Sequence, residues 1–352
     1  MDDQLKGDEA RALDAARLSW PMDWPGIFRR QAPLYLEIGF GNGQFLVDLA
    51  LQNREANILG VEISLPSIRK AERKIQNQGL SNLRVVHGDV RLLLWGGFSN
   101  TEAEIEKVYI NFPDPWHKAA HNHRKLINPR FLHQLGARKI KGGTLDIATD
   151  DAGYQAVIAA ALAETPYFNS RSGQPWVTED IDRIRTKYEL KALAEGRVCH
   201  YYHWLRNQED VSNRFPTPKE LDMPHAIIKT SLSFEQIVSK YAVTSFSGDT
   251  PVRLLHLFEK VGGNRSETGR DGLLVEAHVA EDPLPQRIGM TVHRRAEDEL
   301  IIGLHELGFP RPTQGVHLAV AHLARFLLSL DSKAHIQHHN LNVELQRRAT
   351  GF

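Results

Sequence analysis

The sequence predicts an α/β protein, a mostly parallel sheet with helices on both faces, followed by a smaller α+β region. Three observations predict it. Over the first two-fifths of the chain, apolar runs of strand length alternate with segments of helical periodicity, and repeated βα units build a parallel sheet that needs helices on both sides. A glycine-rich turn, Gly39-Phe40-Gly41-Asn42-Gly43, separates the first strand from the first long helix. The pattern then changes after Arg206, where a polar stretch carries Pro216, Pro218 and Pro224. A length of 352 residues with 41% apolar and 24% charged side chains fits a globular chain of about two domains.

The elements follow in order. Leu34–Ile38 reads as a strand and Gln44–Gln52 as a helix; Ile58–Ile63 is the next strand and Pro66–Gln78 the next helix. Leu83–Val86 precedes Gly88-Asp89, and Lys107–Phe112 runs into a proline turn. Phe131–Ile140 has helical spacing, Gly143–Ala148 is a strand and Tyr154–Glu164 a helix. This organisation predicts one domain over residues 1–207, a linker over 208–224 and an α+β domain over 225–352. In the last region Leu273–Val279 and Arg287–His293 read as strands, Phe234–Tyr241 and His317–Leu330 as helices, and the polar tail from Ser332 as frayed.

No apolar run approaches the ~18 residues of a membrane span, and Met1-Asp2-Asp3-Gln4-Leu5-Lys6 does not resemble a signal peptide. The single cysteine, Cys199, excludes an internal disulfide and a cysteine-based zinc cage, and a reducing cytoplasm is the expected setting. Ten of the 17 histidines lie between His225 and His339, scattered rather than at ligand spacing, so no metal site is expected, and His338-His339 is expected to be solvated. Formal charge is 43 against 43, but the distribution is uneven. Between Pro115 and Leu145 there is no acidic residue, while Lys118, Arg124, Lys125, Arg130, Arg138, Lys139 and Lys141 are basic; such a stretch predicts a phosphate-facing surface.

The glycine turn carries the first chemistry. Gly39, Gly41 and Gly43 allow a sharp turn and close approach of a ligand to the backbone, yet this spacing alone is a weak signal. Three carboxylates sharpen it. Glu37 ends the first strand, Glu62 ends the second and is placed to accept from ribose hydroxyls, and Asp89 follows the third, where it can meet an adenine amino group. Ligands of such sheets bind at the carboxyl ends of the strands. An acid at the first glycine turn repels a pyrophosphate and suits a ligand with positive charge and no phosphate, namely S-adenosylmethionine.

Asn111-Phe112-Pro113-Asp114-Pro115-Trp116 follows the fourth strand. Its prolines restrict the residues that precede them and stiffen the turn. Amino methyltransferases of adenine and cytosine carry a similar Asn/Asp-Pro-Pro-aromatic element; here a carboxylate interrupts the proline pair. A guanine offers two donors on its Watson–Crick edge, which a carboxylate can accept together, and an indole can support an extruded base. N7 lies on the opposite edge with a free lone pair, so its methylation needs positioning more than a strong base.

These residues resemble the bacterial tRNA (guanine-N7-)-methyltransferases, from about Trp24 to Arg206. The resemblance rests on Glu37–Gly43, Gly60-Val61-Glu62, Phe112-Pro113-Asp114-Pro115-Trp116-His117-Lys118, Ala148-Thr149-Asp150 and Arg185-Thr186-Lys187-Tyr188-Glu189. It implies a Rossmann-like S-adenosylmethionine-dependent fold and methylation of a variable-loop guanine in tRNA, with no DNA or membrane partner. It also implies that Glu37, Glu62, Asp89 and Asp114 line the methyl-donor site, that Asp114 is catalytic, and that Lys118, Asp150, Thr186, Lys187, Tyr188 and Glu189 meet the guanosine.

Two departures stand out. The family's basic run after Trp-His-Lys is weakened to Ala120-His121-Asn122-His123-Arg124-Lys125, which leaves His121, Asn122, His123, Arg124 and Lys125 as the expected RNA contacts. About 145 further residues follow the resemblance, with 16 basic against 18 acidic side chains, so they do not form a simple electrostatic clamp. Two alternatives stay open: a methyltransferase redirected by this region to another RNA or a protein, and a non-catalytic RNA-binding relative.

Overall fold

The computed structural model describes residues 12–15, 18–99, 104–118, 124–212, 215–217, 221–259, 272–282 and 284–343. The chain divides into two compact units, Met1–Thr217 and Pro218–Phe352.

The first unit runs β1 (Leu13–Asp14), α1 (Trp24–Phe28), β2 (Leu34–Ile38), α2 (Gln44–Gln52), β3 (Asn57–Glu62), α3 (Leu65–Gln78), β4 (Leu83–His87), α4 (Val90–Gly96), β5 (Ile105–Asn111), α5 (Pro129–Arg138), β6 (Lys139–Thr149), α6 (Ala152–Glu164), β7 (Phe168–Ser170), α7 (Lys187–Ala194) and β8 (His200–Arg206). Its eight strands lie in the order β1-β4-β3-β2-β5-β6-β8-β7. Strands β4, β3, β2, β5 and β6 are parallel, and their near-continuous apolar runs reflect burial on both faces: Leu34, Leu36 and Ile38 pack with Leu59, Val61, Val108 and Ile110 against α5 and α6, while Tyr35, Ile58 and Val85 pack against α2 and α3. The order reverses beside β2, between β3 and β5, so a crevice opens there at the carboxyl ends of the strands. This is the Rossmann-like fold.

Two strands depart from the expected parallel pattern. β8 pairs antiparallel with β6, and β7 antiparallel with β8. Because His200 lies opposite Thr149, β8 starts at the carboxyl edge of the sheet, and the chain between β7 and β8 enters the sheet from the same edge as the crevice. The helix α7 lies in that connection. Helix α5 ends two residues before the expected Ile140, because Lys139 already pairs with Ile105 at the start of β6.

The stretch beyond Arg206 is not a free linker at its beginning. Ser212 O meets His133 Nε2 at 3.0 Å, Phe215 O accepts from Arg138 at 2.8 Å, and Pro216 O accepts from the Trp95 indole at 3.0 Å. Residues up to Thr217 thus belong to the first unit, and the division falls inside the span expected to be linker.

The second unit holds β9 (Ala226–Lys229), α8 (Phe234–Lys240), β10 (Thr244–Phe246), β11 (Val252–Glu259), β12 (Gly272–Val279), β13 (Gln286–Ala296), β14 (Glu299–His305), α9 (Gln314–Leu330) and β15 (His335–His339). Seven antiparallel strands in the order β10-β11-β12-β13-β14-β9-β15 carry α9 on one face. Val316, Ala319, Val320, Leu323 and Leu327 line one stripe of α9 and pack with Leu254, Ile288, Met290, Val292 and Ile302. The expected frayed tail is partly ordered: His335–His339 form an edge strand on β9, with His338 opposite Ile227 and its ring 5.4 Å from that of His225. His317, inside α9, meets the Asp222 carbonyl through Nε2 at 2.9 Å and accepts the Asn342 N–H through Nδ1, a satisfied core histidine. Among the described residues, no three His, Cys, Asp or Glu side chains gather as a metal site.

Candidate active site

A cleft of about 500 Å³ opens at the carboxyl ends of β2, β3, β4 and β5. Glu37, Gly39, Gly41, Glu62, Asp89, Asn111, Asp114, Trp116, Arg124, Thr186, Lys187 and Tyr188 contribute to its lining, so the glycine turn, the proline turn and the start of α7 meet in one place.

The glycine turn is left-handed at Gly39, Gly41 and Gly43, with φ of 70°, 56° and 71°. Gly41 turns its N–H to Glu62 Oε2 at 3.0 Å. Gly43 stands behind the cleft as the cap of α2, and a Cβ there would lie 2.9 Å from Ala71 Cβ, so its part is packing. Glu62 also accepts from the N–H groups of Ile63 and Ser64 at 2.8 and 2.9 Å. It therefore shapes the loops beside the cleft: Oε1 takes both of these bonds, and Oε2, with the single bond from Gly41, keeps acceptor capacity toward a ligand hydroxyl.

Glu37 is buried, 1% exposed. Its Oε1 accepts from Asn111 Nδ2 at 3.0 Å, and its Oε2 is buried without a hydrogen-bond partner. Burial pushes this carboxyl up to about 8, against the Asn111 hydrogen bond and the Arg183 charge, which lower it, while Glu62 raises it further. A buried carboxylate oxygen with no donor fits a cationic ligand that brings one, and the ammonium of S-adenosylmethionine matches that requirement.

Asp89 lines the cleft and also has partners within the fold. It N-caps α4 through the Arg91 N–H at 2.8 Å, and the Arg91 guanidinium takes both of its oxygens, with Nη2 to Oδ2 at 2.5 Å. The pair sits at the cleft wall, and an adenine amino group would share Asp89 with Arg91.

The proline turn is held in an uncommon conformation. Phe112 and Trp116, at either end of Pro113-Asp114-Pro115, have φ of 51° and 47°, a region that costs a non-glycine residue about 1–3 kcal/mol. The Phe112 N–H is fixed to the Ala148 carbonyl at 2.8 Å. Asp114 is exposed at the cleft, and the Arg124 guanidinium lies 5.0 Å from the Trp116 ring. Arg124, expected to contact RNA, lines the cleft.

The Thr186–Glu189 segment is a capping box at the start of α7. Thr186 Oγ1 accepts from the Glu189 N–H, and Glu189 Oε2 accepts from the Thr186 N–H. Thr186, Lys187 and Tyr188 line the cleft, but Glu189 is 0% exposed. Its carboxylate is also engaged by Arg183, Arg185 and the Tyr201 hydroxyl. Glu189 therefore supports the segment and does not present itself to a substrate. Asp150 and Lys118 lie outside the cleft lining, Asp150 paired with Arg197 and Lys118 exposed.

The basic stretch is corrected in part. Arg138 is 1% exposed and donates to the carbonyls of Leu94, Trp95, Ser99 and Phe215; Lys139 is buried with its ammonium on the Glu106 carbonyl, and burial pulls it down to about 7. Lys141 pairs with Asp210, and Lys125 lies over the Tyr154 ring. His121, Asn122 and His123 fall outside the described residues. Asn111 and Arg183, to which the sequence assigns no role, prove central to the site's support.

A family model described as "Putative methyltransferase" matches residues 31–201. The tRNA (guanine-N(7)-)-methyltransferase of Thermus thermophilus is 30% identical over 305 residues, 86% of this chain and 91% of that protein. The chain belongs to the tRNA (guanine-N7-)-methyltransferase family. Family enzymes of Thermotoga maritima (36% identical, 62% of this chain and 68% of that protein) and Nitrosococcus oceani (39% identical, 50% and 72%) are similar over shorter spans. The Thermus match is longer than the whole first unit, so it extends into the second, and part of the region beyond Thr217 has a counterpart in that relative. As a family member the protein is an S-adenosylmethionine-dependent methyltransferase.

Proposed function

We propose that the cleft between the glycine turn and the proline turn transfers a methyl group from S-adenosylmethionine to N7 of a guanine in the variable loop of tRNA. The observation that carries this reading is the buried, donorless Glu37 Oε2 in the same cleft as Asp114 and Trp116. When bound, S-adenosylmethionine supplies an electrophilic methyl on a sulfonium. Glu37 holds the cationic end of the donor, Glu62 the ribose and the rim at Asp89 the adenine. Asp114 accepts N1–H and N2–H of guanine, which turns the N7 lone pair toward the donor, while Trp116 and Arg124 support the base. Tyr188 and Lys187 close the opposite side of the pocket. No group need remove a proton before attack, so positioning and electrostatics carry the rate. Lys118 and the segment around Arg124 meet tRNA phosphates, and Asp150 approaches the nucleoside once Arg197 yields it.

No helix among the described residues is long and apolar enough to cross a membrane; with a single, reduced cysteine and a tRNA substrate, the cytoplasm is the proposed setting. Incubation with methyl-labelled donor and bulk tRNA, followed by digestion to nucleosides, tests the reading. Label in 7-methylguanosine supports it, and label in any other nucleoside or in protein refutes it.

A further inference from the structure

One buried guanidinium joins the three segments of the site. Arg183 lies between the rings of Phe45 and Tyr201, 5.6 and 5.5 Å from their centres, with its side chain 4% exposed. Its Nη2 donates to Asn111 Oδ1, and its Nε donates to Glu189 Oε2 at 3.2 Å. Asn111 passes the connection on, since its Nδ2 donates to Glu37 Oε1. Glu189 does the same in the other direction, closing the capping box on Thr186 and fixing the first turn of α7, whose Lys187 and Tyr188 face the cleft. An unbroken chain Glu37–Asn111–Arg183–Glu189–Thr186 thus runs from the donor carboxylate to the segment facing the nucleoside, and Asn111 also begins the proline turn.

We propose that Arg183 is a positioning residue that couples the methyl-donor carboxylate Glu37 to the Thr186–Glu189 segment, so that donor occupancy tightens the grip on the guanosine. This coupling rests on the proposed function. A cationic ligand at Glu37 Oε2 fixes the orientation of that carboxylate and hence of the Asn111 amide. The amide has one arrangement that both gives a hydrogen to Glu37 and accepts one from Arg183. Arg183 is then held against Glu189, and the capping box is stiffened before tRNA arrives. Lysine cannot replace this function, because a single ammonium lacks the planar fork that spans Asn111 and Glu189.

The test is the tRNA dissociation constant of the full chain with and without S-adenosylhomocysteine, for wild type, R183M, R183K, N111A and Y201F. Wild type is expected to bind tRNA at least about fivefold more tightly with the ligand present. R183M, R183K and N111A should bring that ratio to near one, while Y201F, which removes one bond to Glu189 without cutting the chain, should keep it. If R183M fails to fold, N111A cuts the same chain at its other end and decides the matter in the same way. A second readout separates coupling from general support. The groups facing Glu37 are Asn111, Arg183, Glu62 and Tyr109, and the Arg183 charge favours the ionised carboxylate. R183M should therefore move the pH dependence of ligand affinity upward, and R183K should not. A wild type that binds neither ligand overturns the proposed function and this inference with it. A wild type that binds both without coupling, or an R183M variant that retains coupling, overturns this inference alone.

Discussion

Asn111 Nδ2 donates to Glu37 Oε1 at 3.0 Å, so the first residue of the proline turn is tied to the carboxylate that ends the neighbouring strand. That bond leaves Oε2 as the free oxygen of a buried acid. The two strand ends are thus tied together within the fold, at the cost of a carboxyl group held without full compensation.

The cost has a pH signature. Glu37 is raised from an ordinary 4.5 to about 8 by burial. A raised acid contributes stability fully present below the unfolded value, and that stability is lost as pH rises toward the folded value. The melting temperature of the ligand-free protein should therefore fall between about pH 4.5 and 8, by an amount corresponding to at most about 5 kcal/mol. E37Q should remove that slope, and saturating S-adenosylhomocysteine should reduce it. Thermal melts across this range for the two proteins, with and without ligand, check it.

Donor affinity follows the opposite direction. A cationic ligand prefers ionised Glu37, so affinity should rise with pH up to about 8 and a proton should be released on binding below it. Calorimetry in buffers of different ionisation enthalpy measures that release, which should be smaller in E37Q by about the proton that Glu37 supplies. Equal release in both proteins would assign it to the ligand alone.

Much of this arrangement is legible in the sequence, for physical reasons. Strand β2 and helix α2 match their expected bounds because apolar runs and the flanking glycines mark them unambiguously. The convergence of Glu37, Glu62 and Asp114 follows from their places at strand ends. Helix α7 is harder to see: Thr186–Glu189 looks like a polar turn, although threonine with glutamate three residues later is a capping-box signature. Strand β15 is invisible in the sequence because His335-Ile336-Gln337-His338-His339 has one apolar residue, and pairing with β9 alone makes it extended. Nor does sequence tell a phosphate-facing arginine from Arg138, whose burial depends on unpaired carbonyls at the end of α4, forty residues earlier. Arg183 leaves a faint signal, an Arg-Ile-Arg just before the capping box.

The basic stretch should therefore behave heterogeneously. Removing Lys118 or Arg124 should weaken tRNA binding and lower its salt slope by about one each. R138M should leave the slope unchanged while costing about 2–4 kcal/mol of stability, because four carbonyls lose their donor. Salt titrations of tRNA affinity alongside denaturant melts distinguish the two classes.

The boundary of the first unit is open to the same kind of test. A chain ending at Thr217 keeps the bonds of Phe215 to Arg138 and of Pro216 to Trp95, and should fold and bind the methyl donor. A chain ending at Asn207 loses both, and should be less stable by at least about 2 kcal/mol. Equal stability would mean that residues 208–217 contribute nothing to this core.

Asp114 should show itself in turnover rather than in affinity. D114N places an amide donor against a guanine donor, a mismatch of about 1–3 kcal/mol, so single-turnover rate should fall about five- to 150-fold. Phosphate contacts carry most of the tRNA affinity, which should stay nearly constant.

Methylation of guanine at N7 in this cleft is the central claim, and strand scission reads that atom directly. Borohydride reduction and aniline treatment cut RNA at 7-methylguanosine. Unmodified tRNA incubated with wild type and S-adenosylmethionine should be cut at a single guanine in the variable loop, and tRNA incubated with D114N should be cut far less. Methyl incorporation without any cut would place the methyl on another atom and contradict the account.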